Sequence, residues 1–314
     1  MLSFFSAIFL GWSLGANDAS NIFGTAVASR MIKFWTAAML ASIFVLLGAI
    51  LEGQAGIRTL QGLTHLNIEQ AVACSLSAAA TVTIMTLFGL PVSTSQAVVG
   101  AIIGIGFLNR QINLAGLEKV VLCWIGTPVG GGIISIIVYK VLATFYNRIT
   151  INLVQTDILL RSALLAAGSY GAYALGANNV ANVTAVFVDA GQLDVFTATL
   201  LGGLSIAFGI LTLSRGVMQT VGKRLVKLDA FSALVVILAE AITVHLYTLI
   251  GVPVSTSQAV VGAVLGIGII RGIRSVKGRT LLNIILAWSL TPAVASFIAI
   301  AIDFVIHLQY VPGV

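Results

Sequence analysis

Long apolar runs, separated by short polar connections, limit what this chain can fold into. One of them, Phe34–Leu51, contains no charged residue over 18 positions. A helix needs about 20 mostly apolar residues to cross a bilayer core, whereas a transmembrane strand shows alternating hydrophobicity over about ten residues. These runs are continuous and do not alternate. They therefore predict an all-α integral membrane protein, since lipid admits only helices and closed barrels.

Composition narrows the class of protein further. Of the 314 residues, 59% are hydrophobic and 8% are charged, whereas soluble domains carry about 25% charged residues. The net charge of +6 comes from basic residues between the apolar runs, which membrane topology explains better than nucleic-acid binding. His, Glu and Asp do not cluster, which argues against an enzyme. We expect no cofactor and a multi-pass location in the lipid bilayer of the cell membrane.

The sequence carries an internal duplication. LGANDASN at 14–21 returns as LGANNVAN at 175–182, and PVSTSQAVVGA at 91–101 returns unchanged at 253–263. The order is kept, and the offsets of 161 and 162 residues are almost equal. The duplication therefore predicts two repeats of five membrane segments each. The ten predicted segments are 2–28, 34–51, 68–90, 92–108, 117–145, 160–188, 195–213, 230–251, 254–270 and 281–309.

Five is an odd number, so the two repeats, 1–150 and 151–314, are predicted to enter the membrane from opposite sides and to form one transport domain. Thirteen Lys and Arg residues fall on one side of this topology and three on the other. The side rich in basic residues is expected to be cytoplasmic, which places both termini outside. Inverted repeats are typical of transporters, with a site near mid-membrane where the repeats meet. A homo-oligomer is left open.

The duplicated PVSTSQ motif joins two neighbouring apolar segments in each repeat. If both segments crossed the membrane fully, the two motifs would lie on opposite surfaces. If each pair is instead a re-entrant hairpin, both tips reach the middle and face one another. Non-helical backbone is tolerated at this depth where it lines a cavity. We favour re-entrant hairpins because two remote surfaces have no evident need for the same eleven residues.

The residues at each tip favour an anion site. Pro91 and Pro253 are expected to end the incoming helix, and Ser93 and Ser255 to cap the outgoing one. A helix N-terminus offers free N–H groups and a partial positive charge, which suit an anion. Plain helix capping is the alternative, but it does not explain two identical copies. The predicted anion-binding residues are Ser93, Thr94, Ser95, Gln96, Ser255, Thr256, Ser257 and Gln258.

The GANDASN and GANNVAN segments predict a cation site. Polar side chains interrupt apolar runs there, and Gly15 and Gly176 are expected to loosen the helices just before them. Carboxylate, amide and freed carbonyl oxygens are hard ligands for a small cation, and a carboxylate inside a membrane is a functional hypothesis by default. We expect sodium at Asp18 and Asn17. The predicted cation-binding residues are Asn17, Asp18, Asn21, Asn178, Asn179 and Asn182.

Glu240 is a second carboxylate inside an apolar run. Its counterpart in the first repeat is Ala78, so it breaks the internal symmetry. It is a candidate proton site, or a partner for His245 five residues further on; a purely structural polar pair is the alternative.

With these motifs in place, the chain resembles the inorganic phosphate transporter (PiT) family of ion-coupled phosphate symporters. GAND at 15–18, GANN at 176–179, and the PVSTSQ pair carry the resemblance, which spans nearly the whole chain. It implies phosphate uptake with sodium or protons by inverted repeats. It also implies phosphate and cation sites at the two motif pairs. The positions concerned are Asn17, Asp18, Asn21, Ser93, Thr94, Ser95, Gln96, Asn178, Asn182, Ser255, Thr256, Ser257 and Gln258.

The chain departs from the family pattern at two places. Position 179 is Asn where the family commonly has Asp, so one formal negative charge is missing. Gln96 and Gln258 stand where many members have His.

The function expected from the sequence is import of inorganic phosphate coupled to a cation by alternating access, with sodium favoured over the proton. Two alternatives stay open. One is a symporter for sulfate or another oxyanion on the same scaffold, and the other is a passive anion channel. Phosphate, sodium or protons, and lipid are thus the expected partners.

Overall fold

The computed structural model describes residues 2–87, 92–150, 152–224, 228–272 and 278–309. Every regular element in these ranges is an α-helix. The prediction that Pro91 ends the first incoming helix lies outside the described residues. The helices are α1 (Leu2–Ala28), α2 (Phe34–Glu52), α3 (Gln54–Gln61), α4 (Ile68–Leu87), α5 (Thr94–Asn109), α6 (Leu114–Tyr146), α7 (Leu153–Asp189), α8 (Val195–Arg224), α9 (Ala230–Leu249), α10 (Thr256–Arg271) and α11 (Gly278–Gln309).

Each of the ten predicted segments overlaps one helix, and the short helix α3 was not predicted. Only Gly53, in a helical conformation, separates α3 from α2. Residues 34–61 correspond to 195–222 in the second repeat, where α8 runs without interruption over 30 residues. The segment that forms the single helix α8 in the second repeat therefore forms two helices, α2 and α3, in the first. Within the described ranges, seven helices are long and apolar enough to cross a membrane by length and composition.

The two repeats exchange partners. Helix α1 of the first repeat packs against α8 of the second, and α2 packs against α7. In the same way α5 packs against α11, and α10 packs against α6. Each contact between repeats is thus made twice, once in each direction, as an inverted duplication requires. The fold class predicted from the sequence is confirmed.

Glycines allow this exchange by bringing helix backbones together. A Cβ on Gly15 would collide with the backbone carbonyl of Ile206, and one on Gly176 would collide with that of Val45. Small residues favour such approaches in lipid, where dispersion contacts replace the hydrophobic effect. Helices α1 and α7 run without a break through these glycines. The expectation that they loosen the helix is therefore wrong, because their role is to admit a neighbouring helix.

A second glycine pair packs the hairpin arms on the last helix of the opposite repeat. A Cβ on Gly100 of α5 would collide with the Pro292 backbone in α11, and one on Gly262 of α10 would collide with the Pro128 backbone in α6. The Thr-Pro pairs Thr127-Pro128 and Thr291-Pro292 therefore lie where the two repeats meet. These contacts hold the first turns of α5 and α10 in the centre of the molecule.

Candidate functional site

The two PVSTSQ tips meet in the interior. The Ser95 hydroxyl donates to the Val254 carbonyl at 2.9 Å, and the Ser257 hydroxyl donates to the Val92 carbonyl at 3.2 Å. These two bonds are related by the internal symmetry, because the residues correspond at an offset of 162. Motifs on opposite membrane surfaces cannot make such contacts. The structure therefore supports the re-entrant hairpins, α4–α5 and α9–α10.

Each outgoing helix begins at its tip with a serine cap. Ser93 accepts from the Gln96 N–H, and Ser255 accepts from the Gln258 N–H, each at 3.3 Å. The two helices begin at Thr94 and Thr256, as the sequence predicts. The cap satisfies one of the four N–H groups that a helix start leaves free. The next N–H donates to the serine carbonyl, so the first two N–H groups of each helix stay without an intrahelical partner.

Several polar atoms at the tips are buried without a hydrogen-bond partner in the described part of the chain. They include Oγ1 of Thr94 and Oε1 of both Gln96 and Gln258. These side chains are 2%, 5% and 3% exposed. An unsatisfied buried polar atom costs roughly 1–3 kcal/mol, so such a cluster is suited to a polar ligand. Its donors and acceptors come from both repeats.

The first asparagine of each GAN motif holds the hairpin of its own repeat. Asn17 donates to the Thr86 hydroxyl at 2.7 Å, and Asn178 donates to the Thr248 hydroxyl at 3.0 Å. Asn178 also donates to the Val252 carbonyl and accepts from the Val254 N–H. Its amide is therefore engaged in shaping the tip. Sequence reasoning missed Thr86 and Thr248, although both recur at the 162-residue offset that revealed the motifs.

The asparagine four residues later reaches the hairpin of the opposite repeat. Asn21 donates to the Thr256 hydroxyl at 3.1 Å, and Asn182 donates to the Ser95 hydroxyl at 3.0 Å. Positions i and i+4 share a helix face, and that face points at the meeting tips. The two motif pairs predicted from the sequence therefore form one continuous polar centre.

The centre is symmetric in shape and asymmetric in charge. Asp18, 2% exposed, lies beside the Thr256 hydroxyl at the start of α10. A carboxylate is stabilised by the partial positive charge of a helix N-terminus. Its counterpart Asn179, 1% exposed, instead accepts from Asn182 at 2.8 Å. Asp18 is therefore the one carboxylate among the predicted anion- and cation-binding residues, and none of these residues is basic.

Glu240 lies on α9, at its contact with α7. It is fully buried, and both carboxylate oxygens lack a hydrogen-bond partner in the described residues. Its Oε2 faces Gly171, 3.4 Å from the position that a Cβ there would occupy. The predicted pairing with His245 is wrong, because the imidazole bonds to Glu52 of α2 at 2.8 Å. The helical spacing of five residues turns His245 away from Glu240.

The polar centre has the chemistry of an oxyanion site next to a small-cation site. Free N–H groups and hydroxyls suit oxyanion oxygens, and the helix starts supply partial positive charge. The Asp18 carboxylate and the amide oxygens of Asn179 and Asn182 suit a hard monovalent cation. Asn182 Oδ1 is buried without a partner in the described residues. This oxygen is therefore free to coordinate a cation.

Comparison with known proteins assigns the chain to a family. The model of the phosphate transporter family matches residues 14–156 and again 147–299. A candidate phosphate permease of Methanocaldococcus jannaschii is 29% identical over 301 residues, which cover 96% of this chain and 94% of that protein. The sulfate permease CysP of Bacillus subtilis is 28% identical over 306 residues, which cover 96% of this chain and 85% of that protein.

A solved structure carries the same fold. It is described as the sodium-dependent phosphate transporter and is 26% identical in sequence. It superposes with a TM-score of 0.88 over 98% of each chain. The resemblance seen in the motifs is confirmed, and the chain belongs to the phosphate transporter family.

Proposed function

We propose that this protein is a secondary active symporter that imports inorganic phosphate together with sodium by alternating access. The observation that carries the proposal is the meeting of the two hairpin tips, joined by Ser95 and Ser257. That meeting turns two helix starts and two copies of one motif into a single buried centre.

Phosphate binds between the tips in this proposal. The first-turn N–H groups of α5 and α10 and the Thr94 hydroxyl donate to its oxygens. The unpaired carbonyls of Gln96 and Gln258 accept the proton that phosphate carries near neutral pH. Ser93 and Ser255 shape the helix starts as caps, and Thr256, Ser255 and Ser257 complete the hydroxyl lining.

Sodium binds against Asp18 and the neighbouring amide oxygens, including that of Asn17. The centre has no Lys or Arg among the predicted anion- and cation-binding residues, so an anion there is balanced only by helix ends, hydroxyls and amides. An uncompensated buried charge costs several kcal/mol. A bound sodium ion offsets this cost, and the anion in turn favours sodium, which makes the two bind cooperatively.

The exchange of helices between the repeats supports alternating access in this proposal. Because each hairpin arm packs on the last helix of the other repeat, rocking one repeat against the other moves both tips relative to the surfaces. We propose a cell-membrane orientation in which both termini lie outside, with the loops rich in Lys and Arg in the cytoplasm. Residues 1–150 and 151–314 act together as one transport domain.

Sulfate is a second candidate substrate, favoured by the similarity to the sulfate permease of Bacillus subtilis. The two anions differ in protonation near neutral pH, because phosphate can donate a hydrogen bond and sulfate cannot. The Gln96 and Gln258 carbonyls are acceptors without a partner in the described residues. They therefore favour phosphate over sulfate.

The decisive experiment is radiolabelled phosphate uptake into proteoliposomes that contain the purified protein. A sodium gradient and a pH gradient are imposed separately, with excess sulfate as competitor. We expect uptake driven by sodium and insensitive to sulfate. Competition by sulfate would instead indicate a symporter for sulfate or other oxyanions. Flux that does not depend on either gradient would indicate a passive channel.

Glu240 is tested in the same assay. Uptake driven only by protons would move the coupling role to Asp18 or Glu240, and loss of uptake in Glu240→Gln would then assign it to Glu240. With sodium as the coupling ion, Glu240→Gln leaves sodium-driven uptake within about twofold, because the amide fills the same volume without a charge.

A further inference from the structure

A second polar cluster lies outside the tip centre, where α2, α7 and α9 meet. His245 of α9 contacts Glu52 of α2 through Nε2 and Oε2 at 2.8 Å. Its Nδ1 lies 2.7 Å from the Tyr170 hydroxyl, and the Tyr173 hydroxyl donates to Glu52 Oε1 at 2.7 Å. Both tyrosine rings also meet the imidazole edge-on. Four side chains therefore form one continuous hydrogen-bonded chain.

The hydrogen-bond directions show how this chain accepts a proton. With neutral His245, Nε2–H donates to Glu52, and Nδ1 accepts from the Tyr170 hydroxyl. All partners are then satisfied, and the cluster carries one negative charge, on Glu52. A proton added at Nδ1 makes an imidazolium–carboxylate pair, and Tyr170 turns its hydroxyl to accept. The protonated cluster is neutral overall, which a low-dielectric surrounding favours.

The cluster is absent from the symmetry-related place in the first repeat. The counterparts of His245 and Glu52 are Thr83 and Leu213, and the counterpart of Tyr170 is Phe9. None of these three can exchange a proton near neutral pH. The cluster is therefore not a by-product of the duplication that built the tips, but a property of one place in the fold.

The cluster links the first repeat to the second hairpin. Glu52 ends α2 of the first repeat, whereas His245 lies on α9, which leads into the second tip at Ile250–Ser255. The side chains of His245 and Glu52 are 22% and 33% exposed, so neither is enclosed by the protein. A change in their pairing therefore acts on the arm that carries Ser255 and Thr256.

We propose that the Glu52–His245 pair is a proton-binding site, separate from the anion and cation sites, that ties α9 to α2 when protonated. The ion pair holds the second hairpin against the first repeat and slows its movement. Acidification then slows transport through this site, an effect that rests on the proposed symport function. Proton binding itself does not depend on that function.

Other charged groups also lie near α9, and Glu240 is close enough to Tyr170 to act on it electrostatically. Glu240, one turn before the cluster on α9, is buried against Gly171. Asp18 of α1 lies beside Thr256, and Lys119 of α6 donates to the Ile250 carbonyl at 3.2 Å. The remaining charged side chains on the described helices that contact α9 are Arg58 of α3, Glu118 and Lys140 of α6, Asp157, Arg161 and Asp189 of α7, and Arg271 of α10.

The first test measures proton binding without transport, by infrared difference spectra of the purified protein between about pH 5.5 and 8, the range in which imidazole titrates. The chain has three histidines, which provides matched controls. We expect carboxylate and tyrosine bands to change with pH in the wild type, in His65→Gln and in His307→Gln. The change should be lost in His245→Gln, whose amide keeps the hydrogen bonds to Glu52 and Tyr170.

Glu52→Gln is the second variant and should lose the carboxylate band while the protein stays folded. Spectra of His245→Gln identical to those of the wild type would overturn the proposal. So would a change that disappears equally in His65→Gln.

The second test is the pH profile of sodium-driven phosphate uptake. Phosphate changes its own protonation over this range, so each variant is compared with His65→Gln at every pH. We expect uptake to fall on acidification. The fall should be smaller in His245→Gln than in His65→Gln, because the contribution of the cluster is lost. Equal profiles would refute the effect on transport, whereas absence of uptake at every pH in the wild type would refute the symport function and leave the infrared test standing.

Discussion

The two repeats build the same backbone and place different charges on it. Both carry a serine-capped tip, an asparagine that holds the tip, and a serine that bonds to the opposite tip. They differ at Asp18 against Asn179 and at Ala78 against Glu240. Both pairs of positions are buried, so each charge lies where water does not compensate it.

This difference separates two tasks. The features that both repeats share form a cradle of N–H groups and hydroxyls, which suits a tetrahedral anion approached from both sides. The feature present once, the Asp18 carboxylate, suits a single cation. A symmetric set of N–H groups and hydroxyls with a carboxylate on one side therefore favours an anion and a cation bound as neighbours. Each prediction below tests either the shared features or the features that differ between the repeats.

The largest effect is expected for Asp18→Asn, which makes the two repeats equal at this position. We expect sodium-driven phosphate uptake to fall at least about 100-fold, because the loss of a buried charge partner costs about 3 kcal/mol. The measurement is initial uptake in proteoliposomes at fixed sodium. Wild-type uptake in the variant would remove Asp18 from the cation site.

Glycine substitutions test whether the two repeats pack alike. Gly262→Ala should lower the free energy of unfolding by about 1–3 kcal/mol, because its Cβ has no room beside the Pro128 backbone. Gly100→Ala should cost about as much, beside Pro292. Gly216→Ala is the control, since nothing lies within 4 Å of its Cβ. Thermal unfolding in detergent gives the comparison, and unequal costs for the first two would contradict equivalent packing.

Asn179→Asp restores the charge that the second repeat lacks. We expect the sodium concentration for half-maximal uptake to fall about tenfold, since a second carboxylate adds about 1.4 kcal/mol of cation binding. A sodium titration of uptake measures it, with Asn178→Asp as a control at the neighbouring position that shapes the tip. An unchanged sodium dependence would show that position 179 does not face the cation.

The smallest effect is expected at the bonds that join the tips. Ser95→Ala and Ser257→Ala each remove the bond to the opposite tip, worth about 1 kcal/mol, and a second bond, to Asn182 or to Ser255. Phosphate affinity, measured by calorimetry, should therefore fall at least about fivefold in either variant. The double variant should lose less than the product of the two, because both bonds hold the same contact. A loss confined to one serine would show that the tips are not equivalent.

Much of the fold was predictable because lipid leaves few choices. Apolar runs of helix length must become helices when no water satisfies the backbone, and an odd number of segments per repeat implies inversion. Ser93 and Ser255 were predictable as caps from local chemistry alone. Helix α3 was missed because it is short and partly polar, and Gly53 alone separates it from α2.

The roles inside the site depended on contacts between distant residues. Gly15 and Gly176 were expected to loosen their helices, and instead they admit the backbones of α8 and α2. His245 was expected to pair with Glu240, and it pairs with Glu52, 193 residues away in sequence. Sequence spacing gives the face of a helix but not the helix that packs against it.

The sequence by itself determined that the protein is a duplicated, inverted helical membrane protein with one polar motif pair in each repeat. Periodicity, composition and identity between the repeats are local properties, and the bilayer converts them directly into structure. Only the tertiary structure decided that the two tips bond to each other, that Asn178 shapes a tip, and that Glu52 and His245 meet. These outcomes depend on which helices pack together. The glycine contacts and the exchange of helices between the repeats determine that packing.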